Sequence, residues 1–136
     1  MVQEYVETSG GIPGLVDGRH DLRIGLYNGE VIHGRLRTPP EGGYIANIGY
    51  GGTHYVLDIA SLPADAKALA QAVDSTFSKY SHRFISVDFA LTDKGWKVFE
   101  LNCWPGLVDC KAGKAEQEYM NTLAQRLIMS AKEYTT

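Results

Sequence analysis

The chain has 136 residues, with hydrophobic side chains at 44%, charged ones at 21% and a net charge of −3. That suffices for one ordinary domain with a real core, and the mild acidity gives no general reason to expect nucleic acid or an anionic membrane as a partner. No apolar run approaches the roughly 20 residues of a transmembrane helix, no signal peptide is evident, and Cys103 and Cys110 fit no zinc spacing, so two free thiols in the cytoplasm is the expectation.

In chain order, Val2 to Val6 alternates apolar and polar side chains, which suits a short half-buried strand. Thr8 to Arg19 is glycine-rich and reads as a loop. It precedes no helical pattern and contains no Gly-Lys-Ser/Thr, so its spacing supports no phosphate role. His20 to Tyr27, Asn28-Gly29 and Glu30 to Arg37 form the clearest hairpin signal, because a type I′ turn needs positive φ at both central residues. Strict alternation from that turn leaves neither face cleanly apolar, and a bulge or twist would be needed to repair it. Thr38-Pro-Pro-Glu-Gly-Gly43 and Ala46 to Gly52 are loops, and His54 to Ile59 is a candidate short strand.

Pro63 opens a helix with Ser61 as the expected cap, and Ala68, Leu69, Ala72, Val73, Phe77 and Tyr80 are its expected core stripe. Gln117 to Tyr134 reads as a second helix, with Met120, Leu123, Leu127, Ile128 and Ala131 inward. The four histidines, His20, His33, His54 and His82, show no triad or ligand spacing, so packing or surface roles are expected. The same holds for Trp104 and Tyr119.

Between the two helices, Arg83 to Gly106 reads as two strands joined by a three-residue loop, Asp93-Lys94-Gly95. Thr92 then faces Trp96, Asp88 faces Glu100 and Ser86 faces Asn102. One face carries Ser86, Asp88, Ala90, Val98, Glu100 and Asn102; the other, with Ile85, Val87, Phe89, Phe99 and Leu101, must lie on a core. Opposed carboxylates only ~5 Å apart destabilise a strand pair. They can share a proton, lie solvated on a polar face, or hold a cation; with the amide oxygen of Asn102, three oxygen donors suit Mg2+ or Mn2+. The register depends on the loop, since a two-residue loop would put Asp88 and Glu100 on opposite faces.

Asp88, then Glu100-x-Asn102 and Pro105-Gly106, resembles the metal-binding signature of the ATP-grasp ligases, most closely the ribosomal-protein glutamate ligases and glutathione synthetase-like members. The resemblance implies that Asp88, Glu100 and Asn102 hold Mg2+ against the phosphates of ATP. Gln3-Glu4-Tyr5-Val6 is similar to the family's hinge segment, whose backbone reads the adenine edge. Asp21-Leu-Arg23 resembles the Asp-Ile-Arg motif, with the acid near the ribose and the arginine at the reacting phosphoryl group or substrate carboxylate. Arg37 would meet phosphate or acyl phosphate, and Asn47, ahead of Gly51-Gly52, would help to close the site. The chain departs from its nearest relatives at Ile45 and Gly49-Tyr50, where those ligases carry basic residues, which argues against the same peptide substrate.

The architecture so implied is α+β, a mainly antiparallel sheet with two helices packed on one side, residues 1–136 forming the C-terminal half of an ATP-grasp fold. The implied activity is carboxylate–amine or carboxylate–thiol ligation through an acyl phosphate. Its substrate would be a small-molecule or peptide carboxylate, and its partner an ATP-clamping N-terminal subdomain, on the same or a separate chain. Without that subdomain the chain is expected to fold but not to turn over. The competing reading is a non-catalytic metal- or nucleotide-binding module that pairs with another chain.

Overall fold

Two hairpins and one added strand make the sheet, and two irregularities in its pairing decide what each face carries. The structure is a computed structural model that describes residues 5–103, 105 and 113–133. Its strands are β1 (Asp21–Tyr27), β2 (Glu30–Thr38), β3 (Thr53–Leu57), β4 (Phe84–Thr92) and β5 (Gly95–Asn102). They pair antiparallel in the order β3-β2-β1-β4-β5. Helix α1 (Ala64–Ser75) precedes β4, and α2 (Lys114–Glu133) follows β5. The α+β class and the antiparallel sheet are as the sequence implies.

The first hairpin turns at Asn28-Gly29, with φ of 48° and 84°, as the type I′ reading requires. Tyr27 pairs with Glu30, but the register shifts between Gly25 and Leu26, so that Leu26 faces Val31 while Gly25 faces His33. Ile32 is the extra residue, and this bulge resolves the frustrated alternation. Beyond it Leu22 faces Leu36, Asp21 faces Arg37 and Arg23 faces Arg35. One face becomes apolar and the other becomes strongly charged.

The second hairpin contains the same device. Its loop has two residues, not three: Thr92 pairs with Gly95. In a regular ladder that would separate Asp88 from Glu100, yet a shift between Asp88 and Phe89 restores the pairing of Asp88 with Glu100 and of Ser86 with Asn102. The expected register is therefore present for a different reason, a one-residue bulge that makes up for a loop one residue shorter.

Leu22, Ile24, Leu26, Leu36, Ile85, Val87 and Phe89 form the main core with Leu62, Ala66 and Ala70. The buried stripe of α1 is Ala66, Ala70 and Asp74, flanked by the partly buried Leu69, Val73 and Phe77. Ala68, Ala72 and Tyr80, expected inward, are exposed. The i, i+4 row is displaced because Asp74 takes a core position, gripped by Arg83 through Nε and Nη2. Pro63 rather than Ser61 is the N-cap, and no side chain caps the helix; Ser61 ends a 3₁₀ turn, Ile59–Ser61.

The two helices do not share a face. Tyr119 and Leu123 of α2 are buried against Tyr27 and Ile32, with Val56, Phe84 and Met120 beside them, and the Tyr119 ring stacks on His33 at 4.1 Å. His33 belongs to the charged face, so α2 covers one end of that face while α1 covers the apolar one. The bulge at Ile32 puts enough apolar surface there for a helix to bury. Leu127 and Ile128, expected inward, are half exposed.

Tyr5 and Val6 lie in no strand, contrary to the alternation reading. Among the described residues no helix is long and apolar enough to cross a membrane. Cys103 is an exposed free thiol, whereas Cys110, Trp104, Gly106, Gln3 and Glu4 lie outside the described residues.

Candidate active site

The charged face concentrates on the central strands. Arg23 of β1 lies directly opposite Asp88 of β4 and grips it with both fork atoms, Nε to Oδ1 and Nη2 to Oδ2, each at 2.6 Å. Arg37 of β2 donates from Nη2 to Asp88 Oδ2 and to Asp21 Oδ2, again at 2.6 Å. Fork geometry of this kind is the strong form of the ion pair. Asp88 is only 2% exposed, so without these two arginines its charge would be prohibitively costly.

Asp21 is less well served. Its Oδ1 is buried with no hydrogen bond, and burial raises its pKa to about 6, with Asp88 adding to the rise and Arg37 opposing it. Arg23 is likewise held above its usual value, by the hydrogen bond to Asp88. Glu100 is exposed and makes no ion pair among the described residues. Asn102 sits two residues on, its Nδ2 buried without a partner.

These side chains open into a cleft of about 850 Å³ lined by Tyr5, Val6, Asp21, Arg37, Asn47, Asp88 and Glu100 among others. Seven of the residues singled out from the sequence thus meet in one hollow. Arg23 reaches it through Asp88, and Asn102 lies one step farther along β5. Asn47 holds its own loop, its Oδ1 accepting from Gly49 N at 2.9 Å and its carbonyl oxygen accepting from Tyr50 and Gly52. A second, apolar hollow of about 640 Å³ beside α2 contains none of the predicted site residues.

The sequence reading missed the apolar half of the cleft. Val98 and Phe99, the residues around the β5 bulge, line it together with Tyr44 and Ile45. Tyr44 is 68% exposed, packs edge-on against Tyr5, and lies under the Arg19 guanidinium. The reading placed Phe99 on the core face, and no signal in composition marks a bulge. Among the histidines, packing roles hold for two: His20 bridges Gly18 O and Leu91 N, and His33 lies under Tyr119.

The donor chemistry bears on a metal. Among the described residues no three His, Cys, Asp or Glu side chains are arranged to hold one, so a cation here would need Asn102 as its third ligand. Both Asp88 oxygens already face guanidinium groups. Asp21, Asp88 and Glu100 balance Arg23, Arg35 and Arg37 in charge, leaving a bare cation little net attraction. The set fits Mg2+ arriving with a polyphosphate, whose negative charge would draw the arginines outward.

Comparison with known proteins bears on the family and the fold. Residues 1–128 match the family model described as the RimK-like ATP-grasp domain. The chain belongs to that family. The RimK-like ATP-grasp domains are part of a superfamily of ATP-dependent ligases, and the curated relative found here is a probable alpha-L-glutamate ligase of Psychromonas ingrahamii, 26% identical over 116 residues. That match covers 84% of this chain and 34% of the relative, so the chain spans about a third of the relative's length. Among solved structures, D-alanine–D-alanine ligase of Bacillus anthracis complexed with ATP superposes with a TM-score of 0.52 at 16% identity, covering 88% of this chain and 41% of that one. A second structure of the same enzyme gives 0.51 at 15%, covering 88% and 43%. At such identities the likeness concerns the fold, and it is the ATP-grasp fold.

Proposed function

We infer that this ATP-grasp domain binds Mg-ATP and supplies half the active site of a carboxylate–amine or carboxylate–thiol ligase working through an acyl phosphate. The observation that carries the reading is the cleft itself. It puts an ion-paired set of two acids and two arginines, Asp21, Asp88, Arg23 and Arg37, beside an apolar lining of Val98, Phe99 and Ile45. A flat aromatic base joined to a polyanion has matching demands, one end apolar and one end charged.

In this reading Tyr5 and Val6 lie along the base, as Gln3 and Glu4 would beside them, Asp21 and Asn47 hold the sugar and close the loop, and Asp88, Glu100 and Asn102 hold the metal. The metal would neutralise charge on the transferred phosphoryl group. Arg37 and Arg23, released from Asp88 as phosphate enters, would stabilise charge that develops in the transition state. Ligation needs no side-chain nucleophile, because the substrate carboxylate would attack the terminal phosphorus of ATP and expel ADP, and the amine or thiol would then attack the acyl carbon and expel inorganic phosphate. Glutamate, named for the curated relative, is the first amine to try. The opposite wall of the cleft would come from an ATP-clamping subdomain, on the same or another polypeptide, so this chain alone is expected to bind rather than turn over.

The test is an amide-resolved NMR titration of the chain with Mg2+ and a non-hydrolysable ATP analogue. Shifts clustered at Tyr5, Val6, Asp21, Phe99 and Glu100, weakened in Arg37→Gln, are the expected outcome. Binding that leaves these residues unmoved, or none at millimolar analogue, would defeat the reading.

A further inference from the structure

Among the described residues Arg23, Arg35, Arg37 and Arg83 carry largely buried guanidinium groups, and all of them but Arg35 hold a carboxylate. Arg23 grips Asp88 with Nε and Nη2, and Arg83 grips Asp74 with the same two atoms. On Arg35, which is only 8% exposed, Nε and Nη2 are both buried and neither has an acceptor. Arg35 also stands directly across the strand pair from Arg23, where like charges repel. Glu116 of α2 acts on Arg35 only at a distance and makes no ion pair with it among the described residues. A buried fork without a carboxylate is an expensive arrangement unless a ligand completes it.

The next rung of the sheet explains what would fit. Along it His33, Gly25, Ser86 and Asn102 stand side by side on the charged face. Gly25 has no side chain to fill the middle; a Cβ there would lie 3.2 Å from the His33 Cβ. The His33 side chain lies against Gly25 under Tyr119, Ser86 stands on the other side of Gly25 with Asn102 beyond it, and Ser86 Oγ and Asn102 Nδ2 are buried and unpartnered as well. This part of the charged face thus carries one guanidinium edge and two neutral donors, a set suited to a planar monoanion rather than a dianion.

We propose that Arg35, Ser86 and Asn102 form a carboxylate-binding subsite on the charged face that holds the non-reacting carboxylate of the ligase substrate. Ser86 and Asp88 are two residues apart on one strand, about 6–7 Å. A small acidic molecule, with its reacting group beside Asp88 and Arg37 and its second carboxylate at Arg35 and Ser86, spans that distance. Substrates lacking the second carboxylate would leave Arg35 unpaired and be rejected, the way polar sites exclude analogues that omit a hydrogen-bonding group. The inference rests on the ligase reading for its substrate, but not for the binding itself.

The test uses the whole chain, with acetate, L-glutamate and inorganic phosphate titrated separately at fixed ionic strength, and reads the Arg35 Nε–H and the Gly25 and Ser86 amides by NMR. Saturable shifts at all three with the carboxylates are expected, with affinity falling about ten-fold or more in Arg35→Gln and also reduced in Ser86→Ala. Carboxylate shifts confined to Asp21 and Arg37, equal affinity in Arg35→Gln, or a response to phosphate alone would overturn the subsite. Loss of an unpaired buried charge should raise the melting temperature of Arg35→Gln; a fall of several degrees would make Arg35 a packing residue and overturn it too. A parallel titration with Mg2+ and the ATP analogue separates the two claims. Nucleotide binding without carboxylate binding sinks the subsite alone, and carboxylate binding without nucleotide binding sinks the ligase reading alone.

Discussion

Asp21 and His33 lie on the same charged face, and burial acts on their titrations with opposite consequences. Asp21 has its pKa raised from 3.8 to about 6, so between those values the folded state holds a proton that the unfolded chain has lost. Its contribution to stability is present below pH 3.8 and disappears as pH rises through 6, at most about 3 kcal/mol. His33, desolvated and beside Arg35, has its pKa lowered from 6.5 to about 3, so its contribution is present above pH 6.5 and disappears as pH falls. Between roughly pH 4 and 6 the two slopes oppose each other. His33→Phe, which keeps a ring under Tyr119, should therefore gain stability relative to the unmutated chain as pH is lowered from 6 to 4. Asp21→Asn should lose stability over the same interval. Urea melts at a series of pH values read both slopes, and slopes of the same sign would contradict this account. A different residue pair shows burial with full pairing. Asp74, 1% exposed, is held by Arg83, whose own backbone N–H donates to Asn28 Oδ1, so the pair fastens α1 to the turn of the first hairpin. Asp74→Ala leaves Arg83 without its carboxylate and should cost about 3–5 kcal/mol. Since it lies outside the cleft, carboxylate and nucleotide affinities of the folded protein should not change.

The elements show what an amino-acid pattern reveals and what it conceals. Asn28-Gly29 and the apolar run of β4 announced two hairpins, and Asp88, Glu100 and Asn102 were recognisable as one constellation. The bulges at Ile32 and near Phe99 were not legible, because an extra residue in one strand changes the phase of alternation without altering composition. The side taken by α2 was hidden for the same reason, since its contact surface includes the bulge residue Ile32. Deleting Phe99 tests this view of β5. A regular ladder would then run from the two-residue loop to the Asp88–Glu100 pair, so the fold and the acid pair should survive. The cleft would lose an apolar wall, and if Phe99 contacts the base, affinity for the ATP analogue should drop by about ten-fold, on the scale of one lost stacking contact of ~1–3 kcal/mol. Unchanged nucleotide affinity in a folded deletion variant would remove Phe99 from the site. Close packing constrains β2 in another way. A Cβ on Gly34 would lie 2.6 Å from Leu62 Cδ2, so Gly34→Ala should cost about 1–3 kcal/mol through overpacking. Leu62→Val should offset part of that loss in the double variant, a non-additivity measurable by chemical denaturation.

At the scale of the whole molecule, the balance of charge predicts how metal and nucleotide depend on each other. Asp88 cannot offer its oxygens to a cation while Arg23 and Arg37 hold them, and the arginines have no reason to leave until another anion receives them. Mg2+ alone should therefore bind weakly, and the polyphosphate alone should meet an arginine pair already neutralised. On the proposed reading each would remove the obstacle to the other: phosphate would draw off the guanidinium groups, and Asp88 so released, with Glu100 opposite and Asn102 beyond, would take the metal. Coupling of this kind is reciprocal, so the factor by which the nucleotide analogue tightens Mg2+ must equal the factor by which Mg2+ tightens the analogue. Calorimetric titrations of the chain in each order should give the same factor, at least ten-fold, or about 1.4 kcal/mol, after correction for Mg2+ bound by the free nucleotide. Glu100→Gln should reduce that factor without abolishing analogue binding, because it would remove a proposed metal ligand and leave the arginines and the apolar wall intact. Tight Mg2+ binding with no nucleotide present would show that the arginines do not guard Asp88. Nucleotide binding indifferent to Mg2+ and to Glu100 would show that the acids of this face serve only to pair the arginines.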